Sequence, residues 1–550
     1  MTKIYKLQRR IAIAYLNKNK RLWSKLQNEL VNLEEAKIKA IKQIHKRKSS
    51  ETSGIDKIVL KGSKGKKVSI DEILIQIQDL KNYEFSAVRR VFIPKKNNKK
   101  KRPLGIPTIR DRVVQTLFAM ALEPISEVMS DRCSFAYRPY RSAKDACQYI
   151  WFLLSRQRGN PRWIFEGDIK GFFDNICHEW ILENIPMDKK ILSKMLKAGV
   201  MNEGSYQDTE EGIPQGGVIS PIIANLCLDG LDKTIKRASN NKATLVRYAD
   251  DFIIVSQNYD ILDKLILDVN KFLKIRGLEL NMEKSKITKI ENGFDFVGFH
   301  FREFSDSTRE IGEKKGIFLY KPTKESLQKV KAKIKLCVKE HSQLPLWMLF
   351  SKLNPILRGW ANYYSSSTAK LAYTRISKYV FDSIHRMIKI KHPKLNAKAL
   401  KSKFYHKVNN RDWLMSTSTE FKRFKKINLF QISDTPIKRT TMIKLDANPY
   451  LGEFEEYFNK RSLNMCFNQQ TNNIRLKLAK RQKGMCPICK ESLNSQYGDI
   501  LYELEIHHII PVVSGGKNIL KNMTLLHKTC HRDRAALENF DVKMDEPYEG

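Results

Sequence analysis

The chain has 550 residues, 42% of them hydrophobic, a length that accommodates three to four domains of about 150 residues with separate cores. Lys and Arg number 100 against 59 Asp and Glu, a formal net charge of +41; a surface that basic repels itself unless a polyanion neutralises it, and nucleic acid is the partner class it points to. No run of 18 or more apolar residues occurs and the basic stretch Met1–Lys20 lacks a long apolar core, so neither a membrane-spanning helix nor a secretory signal is expected.

Residues 1–50 place Ile11, Tyr15, Leu22, Leu26, Leu30 and Leu33 at helical spacing among Lys and Arg, and predict helix up to a break at Ser49–Gly54. From Phe85 to Gly105 the alternation of Val88, Val91 and Ile93 runs into a Lys-rich stretch after Pro94, which predicts a hairpin with a solvated basic tip. Helical periodicity returns over 111–155. Residues 162–176 begin as an apolar strand and end in a turn, and 244–256 read as two short strands flanking Ala249-Asp250-Asp251. An amphipathic helix is predicted over 260–276, a strand over 294–300 and basic helices over 324–390, whereas 405–470 reads as irregular. Of nine cysteines, six (Cys133, Cys147, Cys177, Cys227, Cys337, Cys466) read as buried thiols of a reducing compartment, while the spacing of Cys486, Cys489 and Cys530 marks 471–550 as a small metal-binding module.

Three acidic residues stand where strands end. Asp250 and Asp251 fall on the turn of a predicted hairpin, and Asp168 follows the apolar stretch Trp163–Phe165. Carboxylates so placed can converge on divalent cations, and a pair of ions about 3.5–4 Å apart can activate a primer hydroxyl and stabilise a leaving pyrophosphate. Mg²⁺ suits three Asp residues and a nucleotide, because it takes a few carboxylates plus substrate phosphates.

The surrounding motifs resemble those of reverse transcriptases, in the family's order across residues 85–300. Tyr248-Ala249-Asp250-Asp251 resembles the central motif; Gly212-Ile213-Pro214-Gln215-Gly216-Gly217 with Ser220-Pro221 and Asn225 resembles motif B; Gly167-Asp168-Ile169-Lys170-Gly171-Phe172-Phe173-Asp174 resembles motif A. Arg89–Lys95 with Arg102–Pro107, and Phe135–Pro139 with Arg141–Ala146, resemble motifs 1 and 2, and Lys284-Ser285-Lys286 and Phe296–Phe299 resemble motifs D and E. Thr52-Ser53-Gly54-Ile55-Asp56 resembles the extra N-terminal motif of non-retroviral enzymes. Ala136 and Lys57 stand where the family usually has Gly. The resemblance implies that Lys95 and Arg102 hold the triphosphate of an incoming deoxynucleotide, that Gln215 and Gly216 lie along it, and that Phe172 or Phe173, the latter preferred, excludes a ribose 2′-hydroxyl. It also implies that Lys284 or Lys286 protonates the leaving pyrophosphate.

Leu353-Asn354-Pro355 and Arg358–Tyr364 resemble the thumb, or X domain, of group II intron proteins, which grips template and primer and binds intron RNA; aromatics among Lys and Arg suit that role. Residues 436–461 resemble the segment preceding the nuclease in such proteins. Cys486-Pro487-Ile488-Cys489, Glu505–Pro511, Gly515–Asn518, Asn522 and His527–His531 resemble an HNH endonuclease. There the resemblance implies a structural Zn²⁺ on Cys486, Cys489, Cys530 and His527, with His527 departing from the usual Cys and equally able to join the catalytic ion. It implies His508 as the general base, Asn522 as its orienting partner, and a divalent cation on His507 and His531.

The expected fold is α+β and multidomain: an N-terminal helical extension with the first fingers motif (1–84), reverse transcriptase fingers and palm of right-hand type (85–310), a helical thumb or maturase X domain (311–410), a linker with a DNA-binding role (411–470) and a small ββα-metal HNH domain (471–550). The expected function is that of a group II intron-encoded protein: RNA-directed DNA polymerase, splicing maturase and HNH nuclease acting in intron mobility, in a bacterial cytoplasm or an organelle (chloroplast or mitochondrion). Its partners would be group II intron RNA, target DNA, RNA template, DNA primer and deoxynucleotides, with no membrane. Two alternatives are a splicing cofactor without polymerase activity in vivo, against which the intact Asp residues argue, and a defence-associated reverse transcriptase, which the X-like segment and HNH module disfavour.

Overall fold

In the computed structural model the described residues are 2–62, 65–94, 101–155, 161–304, 316–408, 411–417, 427–469, 473–489, 492–493, 504–511, 515–528 and 530–531. The N-terminal region is three helices rather than one, Lys3–Leu16, Lys20–Asn32 and Glu34–Lys46. The first break is at Lys18, whose φ is +54°, and Asn19 then caps the next helix by accepting from the Leu22 N–H at 3.0 Å. These helices pack on Ile109–Met129, which Thr108 caps and which is buried on nearly every face. Helices buried all round leave polar groups that need internal partners, and here Gln8 and Gln27 donate to the Met120 and Ala121 carbonyls at 2.8 and 3.2 Å.

The central sheet is four-stranded and antiparallel, in the order Lys286–Lys289, Trp163–Gly167, Asp251–Ser256, Ala243–Tyr248. Phe252–Ser256 is buried without alternation, because helices cover the sheet's faces. Its register pairs Gly167 with Phe252 and Tyr248 with Asp251, so one end of the sheet carries Asp168, Asp250 and Asp251 together. A second sheet orders Lys101–Ile106, Val88–Pro94, Val200–Asn202 and Ser205–Gln207. The first two form the predicted hairpin; its basic tip, with Lys95, lies outside the described residues.

The stretch predicted as one strand over 294–300 is instead a hairpin, Phe294–Phe296 and Phe299–Phe304, turned at Val297 (φ +42°) and Gly298 (φ +84°) and extended by Ile317–Pro322. Three helices follow, Lys324–Glu340, Leu346–Tyr364 and Lys370–Lys391. Their aromatics bind back to this hairpin: Tyr363 donates to the Val297 carbonyl at 2.8 Å, and Tyr364 packs edge-on to Phe299 at 4.9 Å. These rings thus serve the protein core rather than standing free for RNA.

Residues 405–470 are more regular than predicted. Tyr405–Val408, Arg411–Thr417 and Ile427–Asn428 form a sheet, and Glu455–Gln469 is a helix. Residues 436–461 run back over the first N-terminal helix and helix Ala143–Leu154 as a strap. Asp145, buried, receives the Ile443 N–H at 3.1 Å and the Arg461 guanidinium; Tyr5 donates to the Pro449 carbonyl at 2.7 Å, and Arg9 pairs with Glu455 at 3.0 Å. The C-terminal module pairs Leu504–His508 with Met523–His527 over a core that includes Leu478, Leu525 and Leu526. Of the expected ββα unit, the two strands are described; residues beyond His531 fall outside. No helix among the described residues is long and apolar enough to cross a membrane.

Candidate functional site

Asp168 sits where strand Trp163–Gly167 ends. Gly167 is required there, since a Cβ would fall 2.2 Å from the Phe252 ring that crosses it. The Asp168 N–H donates to Ser285 Oγ at 3.1 Å, and its carboxylate accepts from Asn281 Nδ2 at 3.0 Å and from Lys284 Nζ at 2.8 Å. Asp250 follows Ala249, whose φ of +58° makes the tight hairpin turn, and Asp251 opens the next strand, exposed. Burial lifts the Asp250 carboxyl above the ordinary range; the Asp168 charge adds to that, while its own backbone N–H, Arg102 and Lys284 oppose it. Two carboxylates that repel each other and are faced by two cations are the chemistry a divalent cation and a phosphate would need. Their oxygens do not close into a ligand cluster as the C-terminal cysteines do, and Lys284 occupies one of them.

The two lysines of motif D part company. Lys284 faces Asp168, whereas Lys286 pairs with Glu166 at 3.4 Å on the sheet edge. The two phenylalanines also differ. Phe172 is 4% exposed within the core, while Phe173 is half-buried against it in an edge-to-face contact at 5.2 Å. Gln215 accepts from the Gly105 N–H at 2.8 Å, and a Cβ on Gly216 (φ +123°) would fall 2.5 Å from the Gly105 carbonyl oxygen. The glycine therefore lets the motif B loop close onto the hairpin that carries Arg102.

Behind the acidic turn lies a feature that motif reading missed. Arg247 is fully buried. It donates to Asn225 Oδ1 at 3.1 Å and to Asp229 Oδ1 at 2.5 Å, and Asn225 in turn donates to the Ala136 carbonyl. Nearby, Arg138 makes a bidentate pair with Glu127 at 2.8 and 2.9 Å. The signal was present: a lone Arg in the apolar strand Ala243–Tyr248 must find a buried partner.

In the C-terminal module Cys486, Cys489, His527 and Cys530 bring their ligand atoms within 4.8 Å of one another. His527 donates from Nε2 to the Ser492 carbonyl at 3.0 Å, which leaves Nδ1 facing Cys489 Sγ at 3.3 Å and Cys530 Sγ at 3.7 Å. Hydrogen bonds from Cys489 first, and then Cys530, hold the Cys486 thiol far below the usual range, while contacts with Cys486 and Cys489 push the Cys530 thiol far above it, so the cluster shares its protons unevenly. The donor set fits Zn²⁺, and His527 belongs to it rather than to the histidine pair.

His507 and His531 face each other with ring centroids 5.0 Å apart, and His531 Nδ1 lies 2.7 Å from Glu505 Oε2, a carboxylate that orients it. Asn522 does not touch the His508 ring. Its Oδ1 accepts from the Ile510 N–H at 2.8 Å, and its Nδ2 donates to the Ile510 and Lys517 carbonyls at 3.0 and 2.9 Å, so it clamps the loop. The side chain that reaches His508 is Asn518, whose Oδ1 lies 3.1 Å from Nε2. Gly516 is forced by the same clamp, because a Cβ would lie 2.0 Å from the Ile510 oxygen.

Comparison with known families agrees with this layout. Residues 93–301 match the reverse transcriptase (RNA-dependent DNA polymerase) family, 1–73 the N-terminal domain of reverse transcriptase, 327–405 the group II intron maturase-specific domain, and 486–536 the HNH endonuclease family. Protein YkfC of Escherichia coli is 31% identical over 301 residues, covering 46% of this chain and 76% of YkfC. The group II intron-encoded protein LtrA of Lactococcus lactis is 39% identical over 204 residues, 36% of this chain and 33% of LtrA. A 91 kDa protein in the cob intron of Schizosaccharomyces pombe is 28% identical over 54% of this chain and 46% of its own length. The chain thus spans three quarters of one of these relatives and less than half of the other two.

Proposed function

Because the chain belongs to the family of group II intron-encoded reverse transcriptases and maturases and carries an HNH endonuclease module, we propose that it copies its intron RNA into DNA at the Asp168–Asp250–Asp251 centre, assists splicing of that RNA and nicks target DNA with the C-terminal module. The observation that carries this is the single sheet end that holds three Asp residues opposite Arg102 and Lys284.

Bound Mg²⁺ would be held by Asp168, Asp250 and Asp251 and would supply Lewis-acid activation of the primer hydroxyl and charge neutralisation of the pyrophosphate. Arg102, on the strand facing Asp250, binds the triphosphate through its planar fork. We assign exclusion of a 2′-hydroxyl to half-buried Phe173, because Phe172 is taken up by the core. Lys284 is the ammonium placed to hand a proton to the departing pyrophosphate. In the nuclease module His508, held by Asn518, is the base for water, and His507 with Glu505-oriented His531 would hold a divalent cation, which would supply charge stabilisation at a phosphodiester. Primer extension on an RNA template, splicing of the intron RNA and nicking of its target, measured on one preparation, test the three activities together. Failure of DNA synthesis by the intact chain would sink the polymerase assignment.

A further inference from the structure

A cavity of about 180 Å³ opens where four segments meet: helix Ala143–Leu154, strand Ile317–Pro322, the turn before Lys370, and the strap at Ile437 and Arg439. It lies apart from both centres described above. One water takes about 30 Å³ of liquid, so the space holds about six, the bulk of one planar heterocycle and well short of a drug-sized pocket.

The walls have the chemistry of nucleotide recognition. Trp151 is half-buried and fixed, since its Nε1 donates to the Phe318 carbonyl at 3.2 Å. Arg439, exposed at the rim, lays its guanidinium 4.6 Å from the Trp151 ring centroid. Tyr320 is held by its hydroxyl, which donates to the Ser366 carbonyl at 2.8 Å. The Ser366 hydroxyl is buried and has no hydrogen-bond partner. Arg439 brings positive charge, Lys370 Nζ donates to the Ser433 and Thr435 carbonyls at 3.1 and 3.0 Å, and no carboxylate among the described residues lines the space.

We propose that this cavity takes one unstacked nucleotide of a bound RNA strand, its base against Trp151, its edge read by Gln148, and its phosphate at Arg439. Single-stranded RNA is recognised in this way, by splaying a base onto aromatic and guanidinium planes and bonding its edge. The cavity is walled by the polymerase body, the maturase-like helices and the strap at once, so an RNA nucleotide seated there would bind all three together. The inference rests on the reading of the chain as an RNA-binding reverse transcriptase.

The test is photocrosslinking of the full chain to a single-stranded RNA carrying 4-thiouridine at scattered positions, with the attached peptides mapped by mass spectrometry. Crosslinks are expected within 148–151 or 319–320, and Arg439→Ala should reduce them about tenfold while crosslinks elsewhere on the chain persist. Arg439 is exposed, so this variant is expected to fold; Gln148→Leu, which keeps the side chain's bulk, should weaken the same crosslinks. An RNA that crosslinks elsewhere but never here, or crosslinks here that neither variant diminishes, overturns the cavity assignment alone. Free 4-thiouridine monophosphate that labels these residues when the RNA does not would overturn the assignment to a nucleic-acid strand. An RNA that crosslinks nowhere would overturn the RNA-binding reading as well.

Discussion

His508 Nε2 lies 3.1 Å from Asn518 Oδ1, while Asn522, four residues on, spends its whole amide on the backbone of Ile510 and Lys517. The two asparagines therefore have separable jobs. Asn518→Ala should reduce DNA nicking by at least about tenfold with the module's thermal stability unchanged, as loss of an orienting partner does. Asn522→Ala removes three hydrogen bonds and should destabilise the module by about 1–3 kcal/mol. Nicking assays and melting curves on both variants check this; equal effects on both readouts would show that the jobs are not separate.

The zinc set and the proposed general base should likewise come apart. Cys489→Ser removes one of four clustered ligands and should lose bound zinc and unfold residues 473–531, because a structural metal supplies much of a small module's folding free energy. His508→Ala should abolish nicking with zinc content intact. Metal analysis of the two purified variants decides it, and loss of stoichiometric zinc from His508→Ala would make His508 a ligand. Primer extension should survive both changes.

Core burial sets the expectation for the paired phenylalanines. Phe173→Val should raise ribonucleotide incorporation relative to deoxynucleotide, since it opens space beside the centre. Phe172→Val leaves a void in the core and should mainly cost stability, about 1–3 kcal/mol. Paired incorporation assays and chemical denaturation of each variant test the division; a change in sugar selection from Phe172→Val alone would reverse the assignment.

Much of this was legible in the sequence because the chemistry sits on short, strongly patterned segments. Two apolar runs around Asp250-Asp251 predicted the hairpin that forms, and Cys486-Pro487-Ile488-Cys489 marked half of the Cys/His cluster that could hold a metal. What was missed depended on tertiary contacts. The strap at 436–461 lacks periodicity because its order comes from partners far away in the chain, Asp145 and Tyr5 among them. The strand predicted over 294–300 hid a turn at Val297-Gly298 inside an apolar run, where the alternation of a hairpin's two arms looks continuous. Asn518 and Asn522 could not be told apart by spacing, since both fall in the segment joining the module's two strands and only the folded loop brings Asn518, not Asn522, to His508.

Arg247 carries a prediction of its own. It is fully buried, paired with Asp229 and Asn225, and directly precedes Tyr248 of the acidic hairpin. Arg247→Ala strands the Asp229 charge and should cost about 3–5 kcal/mol, as removing one member of a buried pair does. Denaturant unfolding of the variant measures it, and a loss below about 1 kcal/mol would mean that the pair is not sealed from water.

The central claim, that one sheet end makes DNA while distributed Lys and Arg hold the RNA, is tested most directly by Asp250→Ala. DNA synthesis and RNA affinity should be measured together over a range of salt. Synthesis should fall at least about a thousandfold, since the cation site supplies several kcal/mol of transition-state stabilisation. Affinity for the intron RNA should stay within about threefold of the unaltered chain and retain a steep salt dependence, each phosphate contact adding roughly 0.7–0.9 to the log–log slope. DNA synthesis that survives the substitution, or RNA binding that collapses with it, would contradict the account.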